Sequence, residues 1–327
     1  MDRLPEIAHR LARIPGIVGV TLGGSRARGA HRVDSDYDLG LYYRPHTPPD
    51  TDALCRLAAE LTGGPVEVTE PGGWGPWVDG GAWLTIPVAS PAHPAPPPSA
   101  HPAPPSPALP APPAHAAPPP SAHPAPPPPA PPPLPCPPPP PRHRVDWIYR
   151  DLDRVRRIWQ DCRRGRFEVG VQAGHPLGVY SHSYVGELAL GRVLADPRGE
   201  LRALQQEVRR YPEALRDALI GNARWEAPFI LAGARKGAAR GDAFYVAGCL
   251  FRAVGLLVHA LHAHARCWVL NEKGAVEAAG RLGVAPARFA TRAHELFVPS
   301  GAAPDALHAV LDAADALVAE VLDRLGV

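Results

Sequence analysis

Apolar residues follow two rhythms over the first 88 positions. Steps of three and four predict a helix near Pro5 to Ile14, and the almost unbroken apolar run "GIVGVTL" predicts a strand. A glycine turn comes next, then a strand in "YDLGLYYR", a helix near Asp50 to Leu61, and strands around "VEVTE" and "AWLTIPV". Far along the chain, "HRVDWIYRDL" has the alternation of another strand, and the remainder is expected to be helical to the end. In the last helix, Leu307, Val310, Leu311, Ala314, Leu317, Val318, Val321, Leu322 and Leu325 recur at helical spacing, with Pro304 near its start. Such a stripe is core.

Composition divides this pattern. From about Ala89 to Pro141 the chain is almost wholly Pro, Ala, Ser and His, and "PPPSAHPAPP" occurs at Pro96 to Pro105 and again at Pro118 to Pro127. Proline fixes φ and removes a backbone donor, so a disordered, extended polyproline II spacer is expected. Its histidines, His93, His101, His115 and His123, lack a preorganised pocket that would make them metal ligands. If "AWLTIPV" and "RVDWIYR" are neighbouring strands, the spacer is an overgrown hairpin loop. Enlarging such a loop to about fifty residues costs only about 2 to 3 kcal/mol. The expected organisation is therefore an α/β unit over 1–88 and 143–160, an insertion over 89–142, and a helical domain over 161–327.

Charge narrows the partners. With 34 basic and 32 acidic residues the net charge is +2, too little for an electrostatic footprint on extended nucleic acid. Five dispersed cysteines, without a Cys-x-x-Cys pair, suggest neither a zinc site nor a disulfide framework, and a cytoplasmic setting is expected. The charged amino terminus lacks the apolar core of a signal peptide, and no uncharged apolar stretch of about 18 residues predicts a membrane span.

The densest chemistry lies in "LGGSRARGAHRVDSDYDLGLYY". A strand ending at Leu22 delivers Gly23 and Gly24 into a tight turn where backbone approaches a ligand closely, and Ser25 adds a hydroxyl and an amide near a short helix. That is a place to hold phosphate. Arg26 and Arg28 stand beside it and suit phosphate oxygens, though arginines on a turn are equally ordinary surface. Asp36 and Asp38, two apart at a strand start, project from one face, and converging carboxylates suit hard cations such as magnesium. A site for two metals about 3.5 to 4 Å apart needs a third carboxylate. Asp146, set between apolar residues of a strand, is the candidate; Asp151 and Asp153 are alternatives. Asp34 falls in the approach loop.

The run "GGSRARGAHRVDSDYDL" resembles the signature of the DNA polymerase beta-type nucleotidyltransferase superfamily, in the "GS-x-ARG…SD-x-DL" form of its minimal and aminoglycoside-modifying members. The resemblance implies that Gly24 and Ser25 hold a nucleoside triphosphate, most simply ATP. It also implies that Asp36, Asp38 and Asp146 bind two magnesium or manganese ions, the third carboxylate also serving as base. The implied fold is α+β: a mixed sheet with flanking helices as the catalytic domain, then an all-α, substrate-binding domain. The implied reaction moves a nucleoside monophosphate to an acceptor hydroxyl on a small molecule and releases pyrophosphate.

The aminoglycoside-modifying members also place a helical glutamate near the acceptor. Glu187 in "YVGELALG" would be its counterpart as a second base, against a plain solvated helix face. Lys273 in "LNEKGAV" fits either a triphosphate contact or a helix-start charge. A regulatory or antitoxin-like module acting on a partner protein is the alternative function, because nothing in the sequence separates a small acceptor from a protein hydroxyl.

Overall fold

A computed structural model describes residues 3–29, 31–32, 34–87, 142–298 and 301–327 of the chain. The Pro-rich insertion expected over 89–142, with its four histidines, lies outside the described residues except for Arg142.

The first elements form for local chemical reasons. Helix α1 (Leu4–Leu11) starts with Pro5 in its first turn and turns Leu4, Ile7, Ala8 and Leu11 inward. Strand β1 (Ile17–Leu22) leads into the four-residue helix α2 (Gly24–Ala27) and then β2 (Tyr37–Tyr43). Helix α3 (Thr51–Thr62) is capped by the Asp50 carboxylate, which accepts from the Ala53 amide, and ends at Gly63 with φ +83°. Strand β3 (Gly81–Pro87) precedes the insertion and β4 (Arg142–Asp151) comes after it. The two are neighbours in the sheet, so the insertion does join adjacent strands.

The sheet has the order β3-β4-β2-β1-β7 and is mixed: β2 runs parallel to β4, while β1 is antiparallel to β2 and to β7. Along β4, Val145, Trp147 and Tyr149 enter the core shared with α1 and α3, whereas Asp146, Ile148 and Arg150 take the opposite face. One face of the sheet is thus wholly packed, while the other sends Tyr42 into a second core with α4 and carries Asp38, Asp146 and Arg150.

Two expectations change here. "VEVTE" forms no strand; Val66 and Val68 pack on the core, and Thr69 holds the segment by its amide and hydroxyl against Gly81. The chain after α4 (Leu152–Arg163) is not purely helical, because β5 (Val169–Gln172) and β6 (His175–Tyr180) form a hairpin. After α5 (Ser183–Leu190), β7 (Arg192–Ala195) pairs with β1 and completes the five-stranded sheet. A four-residue strand is too short to display a period of two, and glycines interrupt the hairpin.

The remaining elements are α6 (Glu200–Val208), α7 (Glu213–Ala238), α8 (Ala243–His264), α9 (Ala275–Gly280), α10 (Phe289–Glu295) and α11 (Pro304–Leu325). Helices α7, α8 and α11 share a core in which the expected stripe of α11 is buried or partly buried. Helix α8 is long and apolar enough to cross a membrane by length and composition, and 67% of that apolar window is buried inside the protein.

Candidate active site

The end of β1 is tied to β2 by the Gly23 amide, which donates to the Asp38 carbonyl at 2.7 Å. The next residue, Gly24, has φ +62°, and a Cβ placed there would fall 1.7 Å from Asp38 Oδ2. The carboxylate thus rests on bare backbone, which only glycine allows. The sequence motif therefore has a concrete steric meaning: Gly24 is absent a side chain because Asp38 occupies the space.

Asp38 and Asp146 are direct partners in the parallel register of β2 and β4. Parallel neighbours lie about 4.8 Å apart with side chains on the same face. Burial, and then the charges of Glu187 and Asp36, push the Asp38 carboxyl above its ordinary value. Burial, and after it the charges of Asp38 and Asp36, pushes Asp146 up to about 6. Arg150 and Lys273 offset the rise at Asp38, as do Arg144 and Lys273 at Asp146. Asp36 stands just before β2; its Oδ1 is shut from solvent and accepts no hydrogen bond, although Arg144 Nε lies 2.6 Å away.

Among the described residues, no group of three His, Cys, Asp or Glu side chains converges closely enough to hold a metal ion. The donor chemistry nevertheless fits a hard cation. Two carboxylates in register are raised by burial and neighbouring negative charge, and Asp36 adds a third whose charge acts on both.

Beside Asp38 opens a cavity of about 230 Å³. Its floor is the free face of the sheet, with Thr21, Gly40, Tyr42, Ile148 and Arg150, and its walls include Gly23, Gly24, Arg28, Glu187 and Lys273. Glu187 is not a solvated helix position: the buried Arg150 guanidinium grips both of its carboxylate oxygens and also donates to the Tyr149 carbonyl. Lys273 likewise faces the cavity, where it acts on both Asp38 and Asp146.

Other sequence candidates have different places. Arg26 donates to the carbonyls of Ser35 and Asp36 and lies 3.8 Å over the Tyr37 ring, so it braces the loop before β2 and does not line the cavity. Arg28 does line it, donating to the Gly24 carbonyl. Ser25 sits in α2 next to the cavity residue Gly24; Ser25, Asp36 and Asp146 are all outside the lining itself. Asp151 caps α4 by accepting from the amides of Asp153 and Arg154, and Asp153 pairs with Arg44, so both of these aspartates are engaged elsewhere. Arg150 escaped the sequence reading. Its signal was alternation, since it lies four residues after Asp146 and so shares that face of β4.

Residues 4–66 match the nucleotidyltransferase domain family model, and residues 180–273 match a domain of unknown function, DUF4037. The first match carries Gly23, Gly24, Asp36 and Asp38; the second carries Glu187 and Lys273; Asp146 lies in neither. No curated protein matches the chain. A solved nucleotidyltransferase-like protein from Exiguobacterium sibiricum is similar at 10% identity over 95% of this chain and 71% of that one, with a TM-score of 0.38. Residues 4–66, which carry the Gly23–Gly24 turn with Asp36 and Asp38, are thus similar to a nucleotidyltransferase domain, and β4 brings Asp146 to the same sheet from outside that match.

Proposed function

We propose that the protein moves a nucleoside monophosphate from a nucleoside triphosphate, ATP in the simplest case, to a hydroxyl of a small acceptor and releases pyrophosphate. The observation that carries this reading is the register of Asp38 against Asp146 beside the bare backbone of Gly24.

Asp36, Asp38 and Asp146 are the residues that would hold magnesium, which when bound lowers the pKa of an acceptor hydroxyl and neutralises charge on the triphosphate. The chain's own groups account for the rest. The backbone of Gly23 and Gly24 lines the cavity, and Arg28 and Lys273 bring positive charge to it, which suits phosphate oxygens. Glu187 lines that cavity too and is held in place by Arg150, so it suits a base that receives the acceptor proton while remaining oriented.

The test is incubation of the protein and magnesium with each labelled nucleoside triphosphate and a panel of aminoglycosides, lincosamides, RNAs and cell extract. Transfer of label to a small hydroxylated acceptor, lost in Asp38→Asn, is the expected result. Labelling of a protein instead would favour action on a partner, and failure to bind any nucleotide with magnesium would sink the reading.

A further inference from the structure

Soluble proteins rarely leave several large aromatic rings in solvent on one face. Among the described residues, five lie on the α7–α8 pair: Trp225 and Phe229 are each 66% exposed, Phe244 91%, Tyr245 48% and Phe251 36%. Trp225 and Phe229, one helical turn apart, stack with centroids 5.2 Å apart and planes 12° from parallel. The helices run antiparallel, with Arg252 gripping Glu226 midway along both and Tyr245 lying over Gly237 where α7 ends and α8 begins. That alignment puts Phe229 level with Phe251. Both helices pack on α11, so their exposed stripes share the side facing away from it.

We infer that this face is the interface of a homodimer, in which the α7–α8 pair of one copy packs on that of a second copy about a two-fold axis. Two observations favour a second copy. The first is area: the exposed parts of these five rings amount to on the order of 600 Å². A standard interface needs about 800 Å² from each partner, and the small residues between the rings supply the difference. The second is shape. Gly221, Ala232, Ala247 and Gly248 are exposed on the same stripes, so the face carries recesses as well as projections. A two-fold interface must be complementary to itself, and knobs beside hollows on one surface meet that need. A lipid surface would use the projections alone.

Sedimentation equilibrium of the full chain over micromolar concentrations tests the inference. The wild type is expected to form a reversible dimer. Trp225→Ala should weaken it by about thirtyfold, the effect of losing one central aromatic anchor. Phe244→Arg, at a side chain too exposed to matter for folding, should give monomers with an unchanged thermal melt. A wild type that stays monomeric throughout overturns the inference. So does a dimer that persists in both variants, or a monomer that floats with anionic vesicles and loses this in Phe244→Arg.

Discussion

At the scale of single residues, Gly24 and Asp146 carry the most. Gly24→Ala would drive a methyl carbon into Asp38 Oδ2 and force alanine into a left-handed backbone. The conformation alone costs about 1 kcal/mol, and displacing the carboxylate adds to it. Thermal unfolding should show a loss of about 1 to 2 kcal/mol, and nucleotide binding with magnesium should disappear. Asp146 behaves in the opposite sense. Its folded pKa of about 6 lies above the ordinary value of 3.8, so the folded state binds the proton more tightly and the charged carboxylate opposes folding. The metal-free protein should therefore lose stability as pH rises from 4 through 6. Asp146→Asn should restore about 1 to 2 kcal/mol at pH 7, allowing for water at this half-exposed group, and almost nothing at pH 4. Melting curves without metal at both pH values check this, and magnesium should stabilise the wild type but not the variant. No stabilisation at pH 7 would mean that the crowding of charge is relieved without metal.

At the scale of elements, what was legible depended on whether a signal is local. The Asp36–Asp38 pair at the start of β2 and the core stripe of α11 were readable because their spacing is set within a few positions. Asp146 was readable as a charge out of place among apolar strand residues, even across the insertion. Strand β7 and the β5–β6 hairpin were not, since short strands owe their existence to the partner strand and not to their own pattern. The Arg150–Glu187 pair was hidden for a related reason: it joins β4 to α5, and only the fold puts the two side chains together. This pair can be dissected. Arg150→Met leaves a partly buried carboxylate without its partner and should cost about 2 kcal/mol or more in urea denaturation. Combining it with Glu187→Leu should recover most of that stability while nucleotide transfer stays lost. If the single Arg150→Met variant transfers normally, Arg150 does not position Glu187.

At the scale of the whole molecule, the arrangement of the sheet decides what the insertion can affect. Asp146 comes level with Asp38 only because β4 lies between β3 and β2, in register with the latter. That register is set by contacts made within the strands: Trp147 and Tyr149 are buried in the core, and the Tyr149 amide donates to the Gly80 carbonyl at 2.9 Å. None of these contacts involves residues 88–141. Since β3 and β4 are neighbours, a short glycine-containing turn in place of 89–141 has to close only the gap between adjacent strands. Loop-closure entropy then predicts a gain of about 2 kcal/mol on deletion, because the ordering cost grows only with the logarithm of loop length. The shortened protein should melt at a higher temperature than the full chain and bind magnesium and nucleotide with unchanged affinity. A lower melting temperature, or lost nucleotide binding with the fold intact by circular dichroism, would show that the insertion contributes to the catalytic unit beyond linking two strands.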